Sequence, residues 1–161
     1  MDFESIRQSY RPSRIKLLMI GESPPASGRF FYINSPMTTY TAHAFEAAYG
    51  IHFQDNAEFL SFFRSSGCFL DDLCHTPVDN LLGSDRKQRR FENIGPLSQR
   101  IRRADPKVVV TFLKSIKEHV QEAIMKSKCN PVSYVLFFPG NSHQKKYMDG
   151  LKEILQNHLR A

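Results

Sequence analysis

Glu22 and Ser23 stand directly after an apolar run, in Gly21-Glu22-Ser23-Pro24-Pro25. A carboxylate at such an exit can polarise a water or stabilise a cation, and the hydroxyl beside it can hold that water. The plainer alternative is a solvated Glu in a proline-stiffened turn. The segment lacks the glycine spacing and the Lys-Ser/Thr pair of a phosphate loop. Phe30, Phe31 and Tyr32 follow in the same stretch. They either plug the loop into the core or offer a face on which a flat base stacks, worth ~1–3 kcal/mol per base. Asp71 and Asp72 are adjacent, so on a strand their side chains point to opposite faces and only one addresses a common pocket. A carboxylate there reads a base by accepting from an exocyclic amine or a ring N–H; otherwise it is a cap or a surface charge. His143, after Pro139-Gly140-Asn141-Ser142, is a structural histidine or a rim acid and hydrogen-bond donor, with Asn141 a second donor. Arg86, Lys87, Arg89 and Arg90, joined by Arg100, Arg102 and Arg103, form either a solvated helix face or a grip on phosphates.

The elements that must position these groups alternate in type. Ile15 to Ile20 is a continuous apolar run closed by Gly21, the pattern of a strand buried on both faces. Pro24, Pro25, Gly28 and Pro36 then forbid regular structure up to Met37. Thr41 to Tyr49 and Asn56 to Phe63 read as helices, Gly50 ending the first. Cys68 to Leu73 is a second strand. Ser84 to Arg103 is helical, with a break expected near Gly95-Pro96. Val108 to Phe112 is β-branched and the clearest strand. Lys114 to Lys126 is an amphipathic helix, Val132 to Phe138 a fourth strand, and Lys145 to Leu159 a closing helix. Asp2 to Tyr10 adds a short helix at the start. Alternation of this kind predicts an α/β fold: a three-layer α/β/α sandwich around a four-stranded parallel sheet. Ligands of such sheets bind beyond the carboxyl ends of the strands. The strand-exit loops should therefore gather Glu22, Asp71, Asp72, His75, Asn141 and His143 on one rim.

The chain has 161 residues, 41% hydrophobic and 24% charged, which fits a single domain over residues 1–161 and argues against disorder. Its 22 Lys and Arg against 16 Asp and Glu give +6, a weak pointer to polyanions. No apolar window reaches the length of a transmembrane span, and the first residues carry charges rather than a secretory h-region. No membrane association is expected. Cys68, Cys74 and Cys129 are odd in number and lack a Cys-x-x-Cys spacing, so reduced thiols in a cytoplasm are expected, with no metal and no cofactor.

The order of these motifs resembles the uracil-DNA glycosylase superfamily. The strand before Gly21-Glu22-Ser23-Pro24, with Gly28-Arg29-Phe30-Phe31, is similar to that family's first motif. Leu70-Asp71-Asp72-Leu73 resembles its base-recognition strand, which usually ends in Asn. Pro96-Leu97 to Ile101, then Asp105-Pro106-Lys107-Val108-Val109-Val110, resembles its helix-then-strand segment. Val135 to Lys145 falls at its His-Pro-Ser motif and DNA-inserting loop. The likeness spans about residues 15 to 157. It implies a base flipped out of DNA into a pocket, its edge read, and its N-glycosidic bond hydrolysed. The departures are specific. Ser23 stands where some branches carry the water-activating residue, Asp71 replaces the base-reading Asn, and Phe138 and Gly140 replace the His and Ser around Pro139. The cluster-binding cysteines of two branches are not reproduced.

Carried onto this chain, the resemblance implies catalytic roles for Glu22, Ser23 and His143. It implies base contacts from Phe31, Asp71 and Asn141, and the basic run by its own charge offers phosphate contacts from Arg86, Lys87, Arg89 and Arg90. The expected partner is DNA, with a nucleobase or nucleotide in the cleft of a monomeric protein. A DNA glycosylase acting on a damaged base is one expectation. A non-catalytic nucleic-acid or nucleotide-binding protein on the same fold is another, and a hydrolase of free nucleosides or nucleotides a third. Because an ionised Asp71 only accepts, amine-bearing bases are expected to be preferred over uracil.

Overall fold

The computed structural model describes residues 1–160. A four-stranded sheet runs in the order β2-β1-β3-β4, with β1 at Leu17–Gly21, β2 at Cys68–Asp72, β3 at Val108–Thr111 and β4 at Val132–Val135. All three pairings are parallel, as the continuous apolar runs require. Every residue of β1, β2 and β3 is buried, whereas β4, on the outer edge, is exposed or half-exposed throughout.

Helices cover both faces. The chain moves from β1 to β2 and then back across β1 to β3, so right-handed crossovers place the two connections on opposite sides. On one side α2 (Pro36–Tyr49) packs against α7 (Gln144–His158) and α3 (Asn56–Ser65). On the other α5 (Ile94–Ala104) packs against α6 (Lys117–Ser127). The aromatic core lies under α2 and α3, where Phe45, Phe59 and Phe63 interlock at centroid separations of 5.3 to 5.6 Å.

The predicted boundaries shift for identifiable reasons. Helix α2 begins five residues earlier than Thr41, because Ser35 and Thr38 form a reciprocal capping box and Pro36 occupies the first turn. The helical stretch after Ser84 breaks at Asn93, not at Gly95-Pro96: α4 (Gly83–Glu92) ends there and Pro96 sits in the first turn of α5, where its missing N–H costs nothing. Strand β4 stops at Val135, three residues short of Phe138, where its ladder to β3 ends. A 3₁₀ turn, Lys114–Ile116, precedes α6.

The free edge of β2 is not left bare. The buried Tyr32 hydroxyl accepts from Leu70 N at 2.6 Å and donates to Leu70 O at 3.0 Å. The seven-residue helix α1 (Phe3–Ser9) lies against the same edge, and its Arg7 donates to Leu70 O at 3.2 Å. Unpaired edge groups are thereby satisfied without another strand. Among the described residues no helix is long and apolar enough to cross a membrane.

Candidate functional site

A cleft of about 570 Å³ opens at the carboxyl ends of the strands. It sits where the strand order reverses between β1 and β3, the position at which open parallel sheets present ligand sites. The loop after β1 supplies Gly21–Pro25 and Arg29–Phe31, and the start of α2 supplies Ser35–Met37 and Tyr40. Leu70 and Asp72 come from β2, Asp79 and Arg86 from the segment beyond it, Phe112 and Leu113 from the end of β3, and Phe138–Gly140 and Gln144 from the last crossover.

Gly21 sets the floor. A Cβ there would meet the Phe112 ring at 2.6 Å and Asp72 Oδ1 at 2.8 Å, so both side chains close over a residue that has none. Phe112 in turn stacks with Phe138, centroids 6.5 Å apart and planes 29° from parallel. Phe138 is 45% exposed and presents its ring on the cleft wall. The Gly21 and Glu22 carbonyls accept from Leu73 N and Cys74 N, both at 2.8 Å, which fastens the loop to the extension of β2.

Glu22 reaches the cleft but is not free. Its carboxylate accepts from Arg86 Nε at 2.9 Å and from Arg90 Nε at 2.6 Å, and a second Arg86 nitrogen also bonds it. Burial pushes the Glu22 carboxyl up, but hydrogen bonds from Arg86 and Arg90 outweigh it and hold the group below the usual range. Two guanidinium groups surround one carboxylate, and Asp79, on the same cleft, also faces the Arg86 charge. Ser23 also lines the cleft, its Oγ accepting from Val78 N at 3.2 Å.

The two aspartates part company, and the assignment of base reading to Asp71 requires correction. Asp71 turns away from the cleft. Its Oδ2 accepts from Arg100 Nε of α5 at 2.8 Å, and its Oδ1 lies 2.9 Å from His75 Nε2, which keeps His75 on that side as well. Burial opposes ionisation of Asp71, but the His75 hydrogen bond and the charges of Arg100 and Arg7 dominate and hold its carboxyl far below the ordinary range. Asp72 is the one that faces the cleft. Its Oδ2 accepts from Arg7 Nη2 at 3.0 Å. Burial raises its pKa, and the Asp71 charge adds to that, more than Arg7 offsets.

His143 and Asn141 are likewise not brought to the cleft. His143 stacks on Phe137 at 4.7 Å, and that ring is also approached by Lys114 Nζ at 3.9 Å and Lys146 Nζ at 4.8 Å. Asn141 is exposed in a left-handed turn, φ 50°. Phe31 does line the cleft, although its ring is engaged edge-on by Tyr32 at 5.1 Å and packed on Phe63 at 5.4 Å. The basic run divides by helical periodicity. Arg86 and Arg90, four apart, face Glu22, while Lys87 and Arg89 are exposed.

Sequence reasoning did not find Phe112, Phe138 or Arg7 as site components. Alternation offered one usable signal: Leu70 and Asp72 share a strand face, so an apolar wall next to a carboxylate was foreseeable. Arg7 carries no such signal, since its role depends on α1 folding back onto β2. Among the described residues no group of His, Cys, Asp or Glu is arranged to hold a metal ion, and Cys68 and Cys74 are buried.

Fold and cleft together define the class: an α/β protein with an all-parallel sheet and one aromatic-walled, charge-lined cleft at its switch point. No protein-family model matches the chain, and no curated protein does.

Proposed function

We propose that this protein is a divergent relative of the uracil-DNA glycosylases that binds a nucleobase, carried on a nucleotide or a DNA strand, without cutting its N-glycosidic bond. The observation that carries this reading is the double arginine clamp on Glu22. Glycosidic cleavage develops positive charge on the sugar and needs negative charge or a water-activating base beside it. Motif order puts Ser23 at the water-activating position, which leaves Glu22 as the one carboxylate of that motif able to do the task, and here its charge is held by two guanidinium groups. With His143 outside the cleft, the corresponding donor to a departing base is missing as well. Binding, by contrast, is well provided for. Phe112 and Phe138 form a stacking wall, Asp72 gives the floor an acceptor, and Arg29, with the one Arg86 nitrogen that Glu22 does not engage, supplies phosphate donors.

Base excision draws on one observation of its own. Arg86 is 33% exposed, so a phosphate could take its guanidinium and release half of the clamp. One experiment separates the two. Oligonucleotides carrying a panel of damaged bases are incubated with the protein, and binding and alkali-labile abasic sites are both measured. The expected outcome is salt-dependent binding with no abasic sites. Abasic sites formed by the wild type and lost in Glu22→Gln would establish excision instead.

A further inference from the structure

Resting on the base-binding reading, we infer that Asp72 selects the base and that it selects one presenting adjacent N–H and NH₂ donors, the edge of a guanine, over the edge of uracil.

The Asp72 side chain is 6% exposed and fixed at one oxygen. Oδ2 accepts from Arg7 Nη2, and Arg7, itself 0% exposed, is locked further by its bond to Leu70 O. Rotation of the carboxylate would break the ion pair of a fully buried guanidinium. Oδ1 is left without a protein partner, yet it is not sealed in. Among the described residues the one fully buried side-chain polar atom without a partner is His119 Nδ1. Oδ1 therefore reaches solvent, and the space it reaches is the cleft that Asp72 lines.

Its surroundings determine what can approach. Oδ1 lies 2.8 Å from the point where a Gly21 Cβ would stand, so any larger residue at position 21 would crowd it. Leu70 and the Phe112 ring are the neighbouring walls and supply no hydrogen bond to compete. Paired with the Arg7 guanidinium at 3.0 Å, Asp72 stands as a carboxylate, which is acceptor-only. Uracil offers a single N3–H between two carbonyl oxygens, so one bond forms beside two repulsive contacts. Guanine offers N1–H and the N2 amino group side by side. Whichever of these Oδ1 accepts from, the group beside it on that side is a second donor and not a repelling carbonyl. Hypoxanthine keeps the N1–H and lacks the amine, and so falls between the two.

The test is a calorimetric titration with the 5′-monophosphates of guanosine, inosine and uridine, using wild type, Asp72→Asn and Asp71→Asn. The phosphate is common to all three ligands, so Arg86 and Arg29 contribute equally. Wild type should bind in the order guanosine, inosine, uridine, with roughly tenfold or more between the extremes. Asp72→Asn, whose amide also donates, should collapse or invert the ratio. Asp71→Asn belongs to the same buried ion network but faces away, and should lower thermal stability while keeping the ratio. If Asp72→Asn does not fold, the wild-type order alone decides. Equal affinities for guanosine and uridine nucleotides, or a guanine preference unchanged in Asp72→Asn, would overturn the role of Asp72 while leaving base binding intact. Failure of all three nucleotides to bind wild type would instead overturn base binding itself.

Discussion

Gly21→Ala is a single methyl placed where three parts of the cleft meet. The added Cβ would lie 2.6 Å and 3.0 Å from two carbons of the Phe112 ring and 2.8 Å from Asp72 Oδ1. Ordinary carbon contacts are about 3.5–4.0 Å, so the ring must retreat by roughly 1 Å. Gly21 does not have a positive φ, and the cost is therefore steric rather than conformational. Asp72 cannot yield, because Arg7 holds it; Phe112 must tilt toward the exposed Phe138. Overpacking of this kind costs about 1–3 kcal/mol, or a fall in Tm of about 2–12 °C for a chain of this size. Differential scanning calorimetry measures the loss, and urea unfolding gives it independently. Phe112→Leu removes the two colliding ring carbons, so the double variant should be less destabilised than the sum of the singles by about 1 kcal/mol or more. A Gly21→Ala protein within about 0.3 kcal/mol of wild type, or strict additivity in the double variant, would refute the close approach.

Tyr32→Phe should cost about 1–3 kcal/mol in urea unfolding, because both Leu70 N and Leu70 O lose a buried partner at the edge of β2; a loss under about 0.5 kcal/mol would show that the edge finds other partners. Arg90→Ala should loosen α4 selectively, since that helix buries no side chain and is tied down through Glu22. Amide exchange across residues 83–92 should rise about fivefold, for about 1 kcal/mol, while the sheet is unaffected. The carboxyl groups of Glu22 and Asp71 both titrate below their ordinary range, so each contributes stability above its unfolded pKa that is lost as pH falls through the folded one. Unfolding free energy should therefore decline below about pH 4, and Glu22→Gln should make that decline shallower; identical slopes would show that the clamp adds nothing.

The layered fold could be read because buried parallel strands announce themselves. Leu17 to Gly21 and Val108 to Thr111 are short buried runs, Cys68 to Leu70 opens a third, and α2 and α3 between the first two strands carry their own caps. Strand ends and side-chain direction were harder. Val132 to Phe138 is one apolar run, yet only its first four residues pair, because the remaining ones must turn to bring Phe138 and Pro139 over the cleft. The choice between Asp71 and Asp72 depends on which partner lies across the sheet. Arg100 on α5 and Arg7 on α1 settle it, and neither is a local neighbour in sequence. Glu22 was legible as a rim residue. Its neutralisation was not, since the spacing of Arg86 and Arg90 indicates only that they share a helix face.

The buried Arg7 also has a consequence for the order in which the chain can assemble during synthesis. Its acceptor Asp72 lies 65 residues downstream. At ribosomal rates of about 5–20 residues per second, several seconds separate the two. A seven-residue helix is too short to persist alone in water, and docking a guanidinium before its carboxylates exist would strand an unpaired charge in the core. Helix α1 is therefore made early and seated late. Until β2 has emerged and paired with β1, the segment that will seal that edge remains solvated, and the nascent sheet is most open to misassociation during that interval.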